Sequence, residues 1–177
     1  MASITRTLPN VLISGTPGTG KTTHCTALAL STGLHHLDIN RVVKEQECHE
    51  GWDSELETWI VDEDKLLDAI QPDLEKGGQI VDYHGCDLFP PSLIDLVVVI
   101  RCETATLYDR LQARKYGQKK LDENMDAEIM QVLLEEARES YDEEIVVELQ
   151  SNEADDVDTN VERIENWVAA WKRNRTE

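Results

Sequence analysis

Basic side chains are scarce in this chain. Its 177 residues carry 17 lysines and arginines against 36 aspartates and glutamates, a formal charge of −19. That surplus argues against loose non-specific binding to nucleic acid or to an anionic membrane, and no sequence-specific nucleic-acid contact is expected. Two readings of it stay open: a solvated acidic face that maintains solubility, or a surface for a strongly basic partner. Paired cysteines are missing too. Cys25, Cys48, Cys86 and Cys102 lie far apart and form no Cys-x-x-Cys unit, so the sequence suggests neither a zinc site nor a disulfide framework. No apolar run approaches the roughly 20 residues that cross a bilayer. Met1 to Pro9 lacks the apolar region of a signal peptide. The expected setting is therefore a reducing intracellular compartment.

Apolar runs are nevertheless spread along the chain, as a folded domain requires and a disordered one does not show. Asn10–Ser14 reads as a buried strand ended by Gly15, and Lys21 to Leu30 as a helix closed by Gly33. His35–Ile39 is a weaker strand, followed by a polar, acid-rich region holding Trp52 and Trp59. Asp62–Lys76 has Leu66, Leu67 and Ile70 on one helical face and Gly77-Gly78 as its stop, with Pro72 expected to kink or shorten it. Gln79–Asp82 and Asp95–Arg101 read as strands, the second with the unbroken apolar run of a strand covered on both faces. Helices are expected over Thr104–Lys115 and, as one longer piece, Asp122–Asp142. Glu144–Leu149 offers a fifth strand, and Val157, Val161, Ile164, Val168 and Trp171 mark a final helix. Alternating strands and helices predict one α/β domain over residues 1–177, with a five-stranded parallel sheet flanked by helices.

The densest chemical signal is Gly15-Thr16-Pro17-Gly18-Thr19-Gly20-Lys21-Thr22. Its glycines let the backbone curl until its N–H groups converge on phosphate oxygens. Lys21 is placed to reach the β- and γ-phosphates, Thr22 to ligate Mg2+, and the following helix turns its positive dipole end on the same anion. The segment follows a buried strand and opens a helix, which is the context that separates a P-loop from a chance glycine-rich turn. Asp82 ends an apolar strand, the position of a carboxylate that holds Mg2+ through water. His84, two residues on, either orients a water at the γ-phosphate or is an ordinary loop histidine. Between Arg101 and Lys120 six basic residues stand against two acids. Arg110 and Arg114, one helical turn apart, share a face there. Arg114 is the candidate for stabilising charge on a transferred phosphoryl group, while Lys115, Lys119 and Lys120 read as decoration of a helix end.

Taken in order, these segments resemble the adenylate kinase superfamily, and within it the isoenzyme 6 branch, small nuclear adenylate-kinase-like ATPases linked to small-ribosomal-subunit assembly. The resemblance rests on the P-loop octapeptide, Ile60-Val61-Asp62-Glu63-Asp64-Lys65, and Asp82-Tyr83-His84-Gly85-Cys86-Asp87 with Phe89-Pro90. It continues through Leu107-Tyr108-Asp109-Arg110-Leu111, Arg114-Lys115-Tyr116 and Leu149-Gln150-Ser151-Asn152. It implies a nucleoside-monophosphate-kinase-like fold with a monophosphate-binding segment near residues 38–61 and a short lid near 113–123. It implies ATP held by Gly15, Pro17, Gly18, Thr19, Gly20, Lys21, Thr22, Thr23 and Arg114, and Mg2+ held by Thr22 and Asp82. Lys21, Asp82, His84 and Arg114 become the catalytic set. Nucleus and cytoplasm become the expected location, and ATP, ADP, AMP, pre-ribosomal particles and a basic small-subunit ribosomal protein the expected partners.

Three departures matter. Ordinary adenylate kinases carry Asp-Gly-Phe-Pro-Arg after the third strand, where this chain has Asp82-Tyr83-His84-Gly85 and so no clamping arginine. Some branch members place an arginine in the monophosphate segment where Lys44 stands here; as an AMP-binding residue Lys44 is a point charge that cannot grip phosphate bidentately. Lys115 replaces a glycine that often follows the lid arginine. The expected activity is ATP + AMP ⇌ 2 ADP alongside slow Mg2+-dependent ATP hydrolysis. Two alternatives remain: a nucleotide-gated binding factor for a basic protein, favoured by eleven acids against one base from Glu139 to Glu165, and a P-loop kinase for another metabolite such as a sugar acid.

Overall fold

The computed structural model describes residues 5–176. Five strands form the expected parallel sheet: β1 (Val11–Ser14), β2 (His35–Asp38), β5 (Gln79–Asp82), β6 (Leu96–Arg101) and β7 (Val146–Gln150), in the spatial order β2-β5-β1-β6-β7. Residues of β1 alternate between the two faces. Leu12 joins a core with Val81, Val97 and Val99, while Val11 and Ile13 join one with Ile80, Val98 and Ile100. Helices α3 (Glu63–Lys76) and α6 (Val132–Ser140) cover the first face through Leu66, Ile70, Leu74, Leu134 and Ala137. Helices α1 (Lys21–Thr32) and α7 (Ala154–Thr176) cover the second through Cys25, Leu28, Val161, Ile164 and Val168. From the central β1 the chain runs first to β2 and β5 on one side, then to β6 and β7 on the other. The carboxyl ends of β1 and its neighbours therefore border a topological switch point, the usual place for a ligand crevice in such a sheet.

Several local expectations change. α3 runs unbroken through Pro72. Pro72 and Asp68, the residue four positions earlier whose carbonyl forfeits its N–H partner, both lie on the exposed face, where water can take the bond. The single long helix over Asp122–Asp142 is instead two, α5 (Gln118–Ile129) and α6, broken where Gln131 turns to φ +57°. The break is set by burial: α5 packs Leu121 against Leu107 and Leu111 of α4 (Thr104–Ala113), whereas α6 packs on the sheet. The acid-rich region after β2 folds into α2 (Ile39–Glu45), capped by Asp38, and an antiparallel hairpin of β3 (His49–Asp53) and β4 (Thr58–Val61). Ring contacts hold the hairpin together. Trp59 stacks on His49 with centroids 4.0 Å apart and meets Trp52 edge-on at 5.1 Å.

At the end of the sheet opposite the crevice, Arg6 pairs with Asp95 (2.8 Å), and a second side chain links three elements. Asn10 is fully buried; its Nδ2 donates to the carbonyls of Leu74 (2.7 Å) and Leu93 (2.8 Å), and its Oδ1 accepts from the Gln79 amide (3.1 Å). It thereby joins the end of α3, the turn before β6 and the start of β5. Asn10→Ala would strand one buried N–H and two carbonyls, and destabilisation by roughly 2–4 kcal/mol is expected. Urea unfolding checks this: the midpoint falls while the slope is unchanged. A shift below about 0.5 kcal/mol would show that these bonds carry no net stability.

Candidate functional site

Between β1 and α1 the backbone takes the left-handed region at Gly15 (φ +149°), Gly18 (+94°) and Gly20 (+107°). A Cβ at Gly15 would stand 2.6 Å from the Ile100 carbonyl oxygen, so glycine there is required by space as well as by φ. The loop is braced from several sides. Thr19 donates its amide (3.1 Å) and its hydroxyl (2.8 Å) to the Thr16 carbonyl. The Thr16 hydroxyl donates to Glu128 Oε2 (2.6 Å), and Arg101 grips the other oxygen of that buried carboxylate and donates to the Glu128 carbonyl (3.0 Å). Arg110 donates to the carbonyls of Gly18 (3.3 Å), Ser151 (3.1 Å) and Asn152 (3.1 Å). Its fork is therefore spent on holding the loop to the segment after β7, and it is not aimed with Arg114 at a phosphate. His24, buried in α1, donates Nδ1–H to the Gly20 carbonyl (2.7 Å), and Asn160 of α7 faces its Nε2 at 3.2 Å.

The loop opens on a cavity of about 570 Å³ whose near wall includes Pro17, Gly18, Gly20, Lys21, Thr22 and Thr23. Asp82, His84 and Arg114 line the same cavity. Gly15 and Thr19 lie buried beneath it and shape the turn without facing the space. Desolvation pulls the Lys21 ammonium down to about 8; Asp82 opposes that shift and the charge of Arg114 adds to it. Thr22 Oγ1 donates to Asp82 Oδ2 at 2.9 Å, so two hard oxygen groups meet at the start of α1 and the end of β5. That donor set fits Mg2+; Thr22 and Asp82 would hold it, and it would supply charge neutralisation to bound phosphates. Burial, reinforced by the positive charge of Lys21, lowers His84 to about 4, so its imidazole is neutral at pH 7 and able to accept a hydrogen bond from water.

Lys44 is not brought to this cavity. It is exposed on α2, whereas Asn40, one turn earlier, lines both the main cavity and a smaller one of about 300 Å³ beyond His84. The far wall of the main cavity is made by Trp52, Thr58 and Trp59 of the hairpin, and Tyr116 and Lys120 close one side. Lys120 is thus no mere helix-end charge: its Nζ donates to the Glu57 carbonyl (3.0 Å) and sits 4.3 Å over the Tyr116 ring. Lys119 pairs with Glu55 across the same gap. Lys115 takes φ +57° directly after Arg114, adopting without glycine the left-handed turn that swings the chain into α5. None of these contacts has a sequence signal. Glu128 is one carboxylate among many in an acidic stretch, and the tryptophans sit in strands whose apolar alternation is weak.

Comparison with known proteins places the chain. A family profile described as an AAA domain matches residues 11–131. The chain is 51% identical over 174 residues to an adenylate kinase isoenzyme 6 homolog of Schizosaccharomyces pombe, covering 98% of this chain and 99% of that one. It is 48% identical over 169 residues to the protein of the same name in Dictyostelium discoideum, covering 96% and 97% respectively. Among solved structures, a shikimate kinase from Acinetobacter baumannii in complex with shikimate superposes with a TM-score of 0.65 at 17% identity, over 93% of this chain and 95% of that one. A gluconokinase from Sinorhizobium meliloti gives 0.55 at 16%, over 96% and 97%. At such identities the two superpositions establish the fold, that of the P-loop kinases, while the two homologs fix the nearer kinship. The chain belongs to the family of adenylate kinase isoenzyme 6 homologs and is a P-loop, nucleotide-kinase-like protein.

Proposed function

We propose that the protein catalyses ATP + AMP ⇌ 2 ADP, with Mg2+-dependent ATP hydrolysis as a second activity, and acts in small-ribosomal-subunit maturation. The observation that carries this reading is a single cavity with two unlike walls. One is the phosphate cradle with Lys21, Asp82, His84 and Arg114; the other is Asn40, Thr58 and the ring faces of Trp52 and Trp59. Transfer to a monophosphate needs no protein base, because the acceptor oxygen is already anionic; it needs alignment and charge neutralisation. Lys21 and Arg114 supply the neutralising charge, and residues 38–61 and 113–123 act as acceptor segment and lid. With Lys44 outside the wall, the acceptor subsite is built from Asn40, Thr58 and Trp59. Where no acceptor is bound, the neutral His84 orients a water, and hydrolysis results.

A second reading keeps the nucleotide as a gate for binding a basic small-subunit ribosomal protein in pre-ribosomal particles, in nucleus and cytoplasm. It is favoured by the acidic run Glu139–Glu165, which includes the first turns of α7. The two readings are compatible.

Measuring ADP formed from ATP with and without AMP separates the activities. AMP-dependent ADP production that disappears in Lys21→Ala is expected; production indifferent to AMP would leave hydrolysis alone and sink the kinase assignment. For His84→Gly the expected result is hydrolysis slowed by about 10- to 100-fold, with ATP affinity changed less than about threefold. Hydrolysis at full rate in that variant would remove His84 from the mechanism. The pH profile of kcat/KM offers an independent check. For hydrolysis the Lys21 ammonium must be charged and the His84 imidazole neutral, so that activity holds between limbs near 4 and near 8. ATP binding weakens by about tenfold at about one pH unit above the Lys21 value, as the competent fraction falls. An acid limb centred near 6.5 would instead mark an unperturbed imidazole.

A further inference from the structure

Behind the Thr22–Asp82 contact lies a second set of donors. Cys25 follows Thr22 by three residues and so faces the same way from α1. His36 lies in β2, which pairs with β5 in the register Asp38↔Asp82, and its side chain reaches across to Asp82. His36 Nε2 donates to Asp82 Oδ2 at 2.9 Å, the oxygen that also accepts from Thr22. The Cys25 sulfur, a His36 ring nitrogen and an Asp82 carboxylate oxygen all lie within 4.8 Å of one another. Cys25 is fully buried and the Asp82 side chain nearly so, while the His36 side chain is 23% exposed and gives the cluster its opening to solvent.

We propose that Cys25, His36 and Asp82 form a three-ligand site for a borderline divalent cation such as Zn2+, sharing Asp82 with the Mg2+-nucleotide site. Sulfur, imidazole and carboxylate are the ligand types that Zn2+ and Co2+ take in tetrahedral sites, with metal–ligand distances of about 2.0–2.3 Å. Drawing three donors already this close around one ion needs side-chain adjustments only. Mg2+ prefers an all-oxygen octahedral shell and has no use for the thiolate. The two ions therefore compete for one carboxylate through different partners: Thr22 and phosphate for Mg2+, Cys25 and His36 for Zn2+. The thiol proton passes to the buffer as the metal–sulfur bond forms. Three protein ligands leave a fourth position for water. An ion seated there holds Asp82 back from the nucleotide site, so Zn2+ and Mg2+-nucleotide exclude one another.

Cobalt titration of the nucleotide-free full chain tests the site, and this arm does not depend on the activity proposed above. One equivalent of Co2+ should produce a thiolate-to-cobalt charge-transfer band in the near ultraviolet, bleached by Zn2+ but not by excess Mg2+. Cys25→Ala should abolish the band, and Cys48→Ala should leave it. The partly exposed His36→Gln, whose folding is checked by its thermal transition, should weaken Co2+ binding by at least about tenfold, the scale on which loss of even an outer-sphere partner weakens a metal site. No band, a band lost with Cys48, or an unchanged Co2+ affinity in His36→Gln would overturn the site. In a second arm, Mg2+ with a non-hydrolysable ATP analogue should weaken Co2+ binding to the wild type. Unchanged affinity there would overturn the shared carboxylate.

Discussion

A phosphate-binding loop aims its backbone N–H groups at a place that only a ligand will fill, so it cannot use those groups to hold its own shape. Here the shape is imposed from outside. The buried Glu128 carboxylate ties Thr16 to Arg101, Arg110 ties the Gly18 carbonyl to the segment after β7, and His24 ties the Gly20 carbonyl to α7. Each of these three braces uses the loop's carbonyls or a side chain; of the loop's amides, that of Thr19 is spent on the Thr16 carbonyl. The Glu128 charge is tolerated away from water because Arg101 pairs with it and Thr16 donates to it, while the Arg110 guanidinium is satisfied by backbone carbonyls. The rest of the site depends on this bracing: Lys21, Thr22 and Cys25 all project from a helix whose first residue the loop positions.

The sheet was legible in the sequence because parallel strands covered on both faces read as continuous apolar runs, as Leu96–Ile100 does. The cradle was legible because a turn of that shape admits few residue types. The hairpin was not, since its stability lies in a stack of His49, Trp59 and Trp52 that leaves no alternating apolar pattern. The break between α5 and α6 was hidden for another reason. No glycine or proline marks it; Gln131 takes a positive φ because the helices on either side bury their apolar residues in different cores. Arg110 shows the same limit at the scale of one side chain. Helical spacing correctly placed it beside Arg114 on α4, but only the fold shows that backbone carbonyls occupy its donors first.

Electrostatics divides the molecule unevenly. Acids crowd the surface, while the cavity collects Lys21, Arg114 and Lys120 with Asp82, Glu57 and Glu123. Desolvation lowers Lys21 against the pull of Asp82, and desolvation with the Lys21 charge keeps His84 neutral, so the two groups sit in opposite protonation states at pH 7 within one pocket. An acidic protein can still cradle a polyanion because most of its acids lie outside the cavity and are screened over roughly 8–10 Å, whereas Lys21 and Arg114 stand at the phosphate cradle itself.

Among the described residues, four other than glycine hold left-handed backbone: Glu47, Glu57, Lys115 and Gln131. None lies in the five-stranded sheet. Glu47 precedes the hairpin, Glu57 lies in its turn, Lys115 joins α4 to α5, and Gln131 joins α5 to α6. An L-residue in that conformation costs about 1–2 kcal/mol, so the corners of the structure are wound like springs around an unstrained frame. Two of the four stand at the cavity: Glu57 lines it, and Lys115 lies between its lining residues Arg114 and Tyr116. The packing around each corner holds that strain in place, so the connections, and not the sheet, carry the least favourable backbone angles.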